Sequence, residues 1–263
     1  MRSFKILSTN LRFLSVGCSF MPPLSWPHWL KKDFQVVQKN FCNPGCGQNL
    51  IGYIIDREIT RNEYDLICVG WSGIDRLEYQ ISKDQTKYFK DFHTVNFDDV
   101  ETYWYFNRGI KNLVFNDRNK DFGIIPKLLN DTQQTVFKHL YNIEYVLYQN
   151  LCYIKHINDL CQQKNIKIFN LCHQNTFQPS WLSSNRKEIF NLMEKHFWVR
   201  PFLEQENWWF YKNSENDFGG IKEFINDHCP TYVQDDATHP TPQGFEFLYD
   251  NQLGEKILNY VNS

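Results

Sequence analysis

Short β-prone apolar runs alternate along this chain with stretches of helical character, and few architectures accommodate that order. Phe13-Leu-Ser-Val-Gly-Cys18 reads as a buried strand closed by a glycine turn. Residues 25–33 read as a short helix with Pro27 in its first turn, followed by a second strand at Gln35–Gln38. Asn43-Pro-Gly45-Cys-Gly47 is a turn. Asn49 is then the expected cap of a helix reaching about Arg61, with Ile51, Ile54, Ile55 and Ile59 facing inward. Asp65–Gly70 and Ile166–Leu171 are two further strands. Between them, a long helix is expected from Asp131 to about Lys164. Its Val136, Leu140, Ile143, Leu147, Leu151, Ile154 and Ile157 recur at the three- and four-residue steps of one helical face. Thr241 caps a C-terminal helix that has Pro242 at its first position and runs to about Tyr260. Strands alternating with helices give a parallel sheet covered on both faces, an α/β fold. Residues 77–130 and 173–235 keep no sustained period, apart from a helix near 184–197, and read as two insertions in a single domain over 1–263.

Composition narrows the function classes. The chain has 263 residues and a net charge of −2, with Lys and Arg nearly balancing Asp and Glu, so the basic footprint of a nucleic-acid binder is missing. No apolar run reaches the 18 residues of a membrane span. Aromatic residues make up 17% of the chain, enough for a large core. The first ten residues lack the apolar stretch of a secretory signal, and eight cysteines in a chain of this length read as reduced thiols. The expected location is the cytoplasm; a protein carried on a virion or exported by another route would look the same. Asn occurs 26 times and Ala once, a skew that suits an AT-rich coding genome rather than a chemical device.

In sheets of this kind ligands sit at the carboxyl ends of the strands, so the residues just past each strand matter most. Gly17-Cys18-Ser19-Phe20 follows the first strand, Asn43-Pro44-Gly45 the second and Gly70-Trp71-Ser72-Gly73 the third. Asp236-Ala-Thr-His239-Pro240 lies before the last helix. Serine is a weak nucleophile that needs a neighbouring base, and imidazole titrates near neutrality. A carboxylate then fixes the ring's tautomer and steadies the imidazolium. Ser19, His239 and Asp236 are therefore the parts of an acyl-transfer triad.

These blocks resemble those of the SGNH/GDSL hydrolase superfamily. Gly17-Cys18-Ser19 stands where the family has Gly-Asp-Ser, and Asp236-x-x-His239-Pro matches its Asp-x-x-His block. The resemblance implies a three-layer α/β/α flavodoxin-like sandwich, with Ser19 as nucleophile, His239 as base and Asp236 as orienting acid. It places Gly45 as an oxyanion donor beside the Ser19 N–H. The family's third block, Gly-x-Asn-Asp, is Gly70-Trp71-Ser72-Gly73 here, so Ser72, Asn49 or nearby backbone would replace the asparagine. Trp71, Ser72, Arg76 and Glu78 fit a Trp-Ser-x-x-x-Arg-x-Glu variant found in divergent members, some from polysaccharide loci and phages. Arg76 then becomes a substrate-positioning candidate. The implied reaction is hydrolysis of an acyl or acetyl ester, on a small molecule or a glycan, with no metal or organic cofactor and no nucleic-acid or membrane partner. Acyl transfer to a sugar hydroxyl would use the same machinery.

Plainer readings stand beside these. Ser19 is otherwise a turn serine, Asp236 and His239 a solvated loop, and Arg76 with Glu78 a surface pair. Cys18 is read as a small buried hydrophobe rather than a nucleophile, because no basic neighbour lowers its pKa. Cys42, Cys46, Cys172-His173 and His228-Cys229 offer zinc ligands without finger-like spacing. Trp104, Trp181, Trp208 and Trp209 are read as packing first and as a sugar platform second. The rival class is a catalytically silent module that binds a carbohydrate or a protein. Oligomeric state is not set by the sequence.

Overall fold

The computed structural model describes residues 7–42, 46–73, 77–82, 94–97, 100–107, 143–177, 188–213, 217–234 and 239–263. The main sheet holds β1 (Leu7–Gly17), β2 (Phe34–Cys42), β3 (Leu66–Trp71), β7 (Lys167–Cys172) and β8 (Trp208–Trp209), in the order β2-β1-β3-β7-β8. Every pairing in it is parallel. The chain runs from β1 out to β2 and then returns past β1 to β3. That reversal opens a crevice between the carboxyl ends of β1 and β3, where such sheets bind ligands.

β3 is buried along its whole length, as a central parallel strand requires. β7 shows how the two faces are covered. Phe169 meets the rings of Trp26 and Tyr260 on one face, while Asn170 bonds Asn158 of helix α2 (Ile143–Gln163) on the other. Helix α1 (Gln48–Arg61) packs beside α2, and the tip of Tyr153 lies against Gly52. The opposite layer is a 3-10 helix at Trp26–Lys32 together with α6 (Pro242–Leu248) and α7 (Gly254–Asn262), joined by a π turn at Tyr249–Leu253. These are the three layers expected of an α/β/α sandwich.

Helical periodicity located the inner faces well. Ile51, Ile54, Ile55 and Ile59 of α1 are buried, as are Leu147, Leu151, Ile154 and Ile157 of α2. Thr241 does cap α6, its Oγ1 accepting from the Gly244 N–H at 3.3 Å. The cap of α1 differs: Gly47, in extended conformation, precedes the first helical residue, and Asn49 lies in the first turn instead. The long helix is described from Ile143 onward, and its expected start at 131 lies outside the described residues.

The stretch from 77 contains a separate antiparallel sheet, β4 (Leu77–Ser82), β6 (Val100–Asn107) and β5 (Thr94–Phe97), in the order β4-β6-β5. Within 173–235 lie α3 (Glu188–Lys195), α4 (Val199–Leu203), α5 (Ile221–His228) and strand β8. That stretch therefore supplies the fifth strand of the main sheet, which periodicity could not reveal because β8 is two residues long. Trp208 and Trp209 are buried in the core rather than open to a ligand. Trp181 lies outside the described residues.

Candidate active site

Ser19 owes its position to two glycines. β1 ends at Gly17, which pairs with Gly70 of β3, and a turn then closes from the Met21 N–H to the Cys18 carbonyl at 2.9 Å. Met21 folds back over both glycines. A Cβ on Gly17 would stand 2.4 Å from Met21 Cγ and 2.9 Å from the Gly70 carbonyl; one on Gly70 would stand 2.7 Å from the same Cγ. Only glycine at both places lets the turn close this tightly. The Asn40 side chain holds the Met21 carbonyl at 3.3 Å. Cys18 is buried, whereas Ser19, one residue on, is partly open at the tip of the turn.

The backbone around His239 is held by the segment Tyr232 to Gln234. The Gln234 N–H donates to the His239 carbonyl at 2.7 Å, and Val233 bridges Pro240. The Thr241 N–H donates to the Tyr232 carbonyl at 2.8 Å, fixing the start of α6. Phe20 packs against the His239 ring at 4.6 Å between centroids and against His173 at 4.8 Å. His173 is itself buried, with Nδ1 at 2.9 Å from the Trp71 carbonyl. An aromatic stack thus backs the imidazole from the end of β7.

The Nε2 atom of His239 lies 2.6 Å from Ser19 Oγ, across 220 residues of sequence. That is the separation at which a base takes a hydroxyl proton. With Nε2 unprotonated, the hydroxyl donates to it and the ring carries its proton on Nδ1. Of the other expected site residues, Asp236, Gly45 and Arg76 lie outside the described residues. Ser72 is fully buried just past β3, with its N–H donating to the Gln48 Oε1 at 3.3 Å. Asn49 is exposed in the first turn of α1, where its carbonyl accepts from the Tyr153 hydroxyl at 3.3 Å.

Among the described residues no three His, Cys, Asp or Glu side chains share a site. Burial pushes the thiols of Cys172 and Cys229 above their ordinary value, against the thiolate that zinc needs. The sequence marks His173 only as a possible metal ligand and gives no role to Phe20 or Gln48. Gln48 had a readable signal: it shares the stripe of Ile51, Ile55 and Ile59 at helical spacing, an odd place for an amide unless it has a buried partner.

No family model matches the chain, and no curated protein sequence does either. Solved structures do resemble it. The psychrotrophic esterase EstA from Pseudoalteromonas sp., in a structure inhibited by monoethylphosphonate, is 8% identical; the match covers 97% of this chain and 100% of that one at a TM-score of 0.50. A catalytic mutant of Axe2, an acetylxylan esterase from Geobacillus stearothermophilus, is 9% identical over 98% and 97% of the two chains at 0.46. The lipase Lip_vut3 from a goat rumen metagenome is 10% identical over 95% and 97% at 0.44. At 8% identity the likeness to EstA, at a TM-score of 0.50, speaks for the fold alone. The chain has the flavodoxin-like α/β/α fold of the SGNH hydrolases.

Proposed function

We propose that this protein is a divergent SGNH/GDSL-type serine hydrolase that cleaves an acyl or acetyl ester. The observation that carries the reading is the 2.6 Å approach of His239 Nε2 to Ser19 Oγ at the carboxyl end of β1. Ser19 Oγ adds to the ester carbonyl carbon while its proton passes to His239 Nε2. The resulting tetrahedral oxyanion collapses by breaking the bond to the alcohol oxygen, which leaves with the proton from His239. Water then adds to the acyl-serine, again giving a proton to His239. Release of the acid returns that proton to Ser19 and restores the enzyme.

Asp236 is assigned to hold the Nδ1–H of His239, which keeps Nε2 facing the serine and steadies the imidazolium. The Ser19 and Gly45 N–H groups and the Ser72 hydroxyl are assigned to the oxyanion, and Arg76 to substrate positioning. Every proton movement here is served by side chains, so the scheme calls for no metal or organic cofactor. Because the two reacting side chains lie at opposite ends of the sequence, we read 1–263 as one domain. A glycan ester is the form of substrate to set beside a small acyl ester. The burial of Trp208 and Trp209 removes two of the aromatic faces that would have favoured it.

The test is hydrolysis of p-nitrophenyl acetate, with a panel of O-acetylated glycans run in parallel. Ser19→Ala and His239→Ala should each lower kcat at least a thousandfold with little change in melting temperature. Wild type no faster than Ser19→Ala on every ester would leave the silent binding module as the better reading.

A further inference from the structure

Past Trp71 the backbone of β3 has no strand beside it among the described residues: pairing with β1 stops at Gly70 and pairing with β7 at Trp71. Ser72 is nevertheless held on both its polar backbone groups. The Gln48 amide donates from Nε2 to the Ser72 carbonyl and accepts from the Ser72 N–H on Oε1, at 3.3 Å for the second bond. Both residues are almost completely buried. The planar amide thus does what a neighbouring peptide group would do and extends the β3 ladder by one residue. Few side chains can replace it. Glutamate offers no donor while ionised, methionine neither donor nor acceptor, and asparagine is one carbon too short.

This clamp changes which donors remain at the end of β3. The Ser72 N–H is spent on Gln48, so it is not available to an oxyanion. The Ser72 hydroxyl, by contrast, has no hydrogen-bond partner among the described residues although it is fully buried. A buried hydroxyl without a partner is uncommon and calls for an explanation, such as a group that arrives with the ligand. Ser72 lies two residues past Gly70, and Ser19 two past Gly17, its strand neighbour. The two serines therefore each follow, by two residues, one member of the last β1–β3 pair, at the same end of the sheet.

We infer that Gln48 is a positioning residue: it fixes the backbone of Ser72 so that the hydroxyl of Ser72, rather than its N–H, serves as an oxyanion donor. The inference rests on the ester-hydrolase reading above. Gln48 touches no substrate and acts only through Ser72.

The experiment is a double-mutant cycle on p-nitrophenyl acetate, with wild type, Gln48→Met, Ser72→Ala, the double variant and Ser19→Ala, and melting temperatures recorded alongside. Ser72→Ala should lower kcat about a hundredfold. Gln48→Met should lower it about ten- to a hundredfold, with KM within about twofold of wild type. The double variant should be no slower than Ser72→Ala, within about threefold, because one residue works through the other. A purely structural glutamine would give losses that multiply, and that result overturns the inference. So does a folded Gln48→Met with wild-type kcat. If Gln48→Met does not fold, Gln48→Glu carries the test: its carboxyl can mimic the amide only when protonated, so its activity relative to wild type should rise as pH falls. A ratio independent of pH overturns the inference. Wild type no faster than Ser19→Ala removes the hydrolase reading and this assignment with it, whereas an active wild type beside an unaffected Gln48→Met removes this assignment alone.

Discussion

At the scale of single residues, the site is made by what is missing from Gly17 and Gly70 as much as by what Ser19 and His239 carry. A methyl group at residue 17 would sit 2.4 Å from Met21 Cγ and 2.9 Å from the Gly70 carbonyl, so either the turn or the β1–β3 pairing must give way. Gly17→Ala should therefore destabilise the fold by about 1–3 kcal/mol, seen as a lower midpoint in chemical denaturation. The same movement shifts Ser19 away from His239, so kcat should fall with it. Wild-type stability in Gly17→Ala would mean that Met21 does not fill that space. The meeting of Ser19 and His239 was legible in the sequence because each sits in local turn chemistry, a glycine before the serine and a proline after the histidine. Gln48 was less so, since its partner lies 24 residues away on another element.

At the scale of elements, polar links tie strands to helices where apolar periodicity is silent. Trp71 Nε1 donates to Asn170 Oδ1 at 2.9 Å, Asn170 Nδ2 to Asn158 Oδ1 at 2.8 Å, and Asn207 Nδ2 to the same Asn158 oxygen at 3.0 Å. This joins β3, β7, α2 and the approach to β8. In a chain so rich in asparagine, nothing in the sequence marks these three as buried. At the start of β3, Asp65 accepts from the Arg12 N–H at 2.8 Å and from its guanidinium at 3.1 Å. Burial alone would raise the Asp65 carboxyl, but the hydrogen bonds and charge of Arg12 outweigh it and hold the pKa below its ordinary value. A carboxyl lowered in the folded state stabilises fully above its unfolded pKa of about 3.9 and loses that contribution as pH falls through the folded value. Asp65→Asn should therefore be less stable than wild type at pH 7, by about 1 kcal/mol or less since the pair is partly exposed. Urea denaturation should show the gap closing below about pH 4. A gap that persisted unchanged at low pH would assign the effect to packing instead.

At the scale of the whole molecule, strand order does the assembling. Reversal of the chain between β2 and β3 places the ends of β1 and β3 side by side, and the C-terminal layer brings His239 back to the first strand. No helix among the described residues is long and apolar enough to cross a membrane. Alternation of strands and helices was enough to anticipate the parallel sheet and its two covered faces. It missed β8, whose two residues are too few for any period and whose pairing with Asn170 and Leu171 is a tertiary fact. Activation of Ser19 as a nucleophile by His239 can be read out by active-site labelling. Incubation with a fluorophosphonate, followed by mass spectrometry of proteolytic peptides, should find one phosphonyl group on the peptide carrying Ser19. His239→Ala should slow that labelling at least a hundredfold. An unlabelled Ser19, or one labelled equally fast without His239, would show that His239 does not activate Ser19.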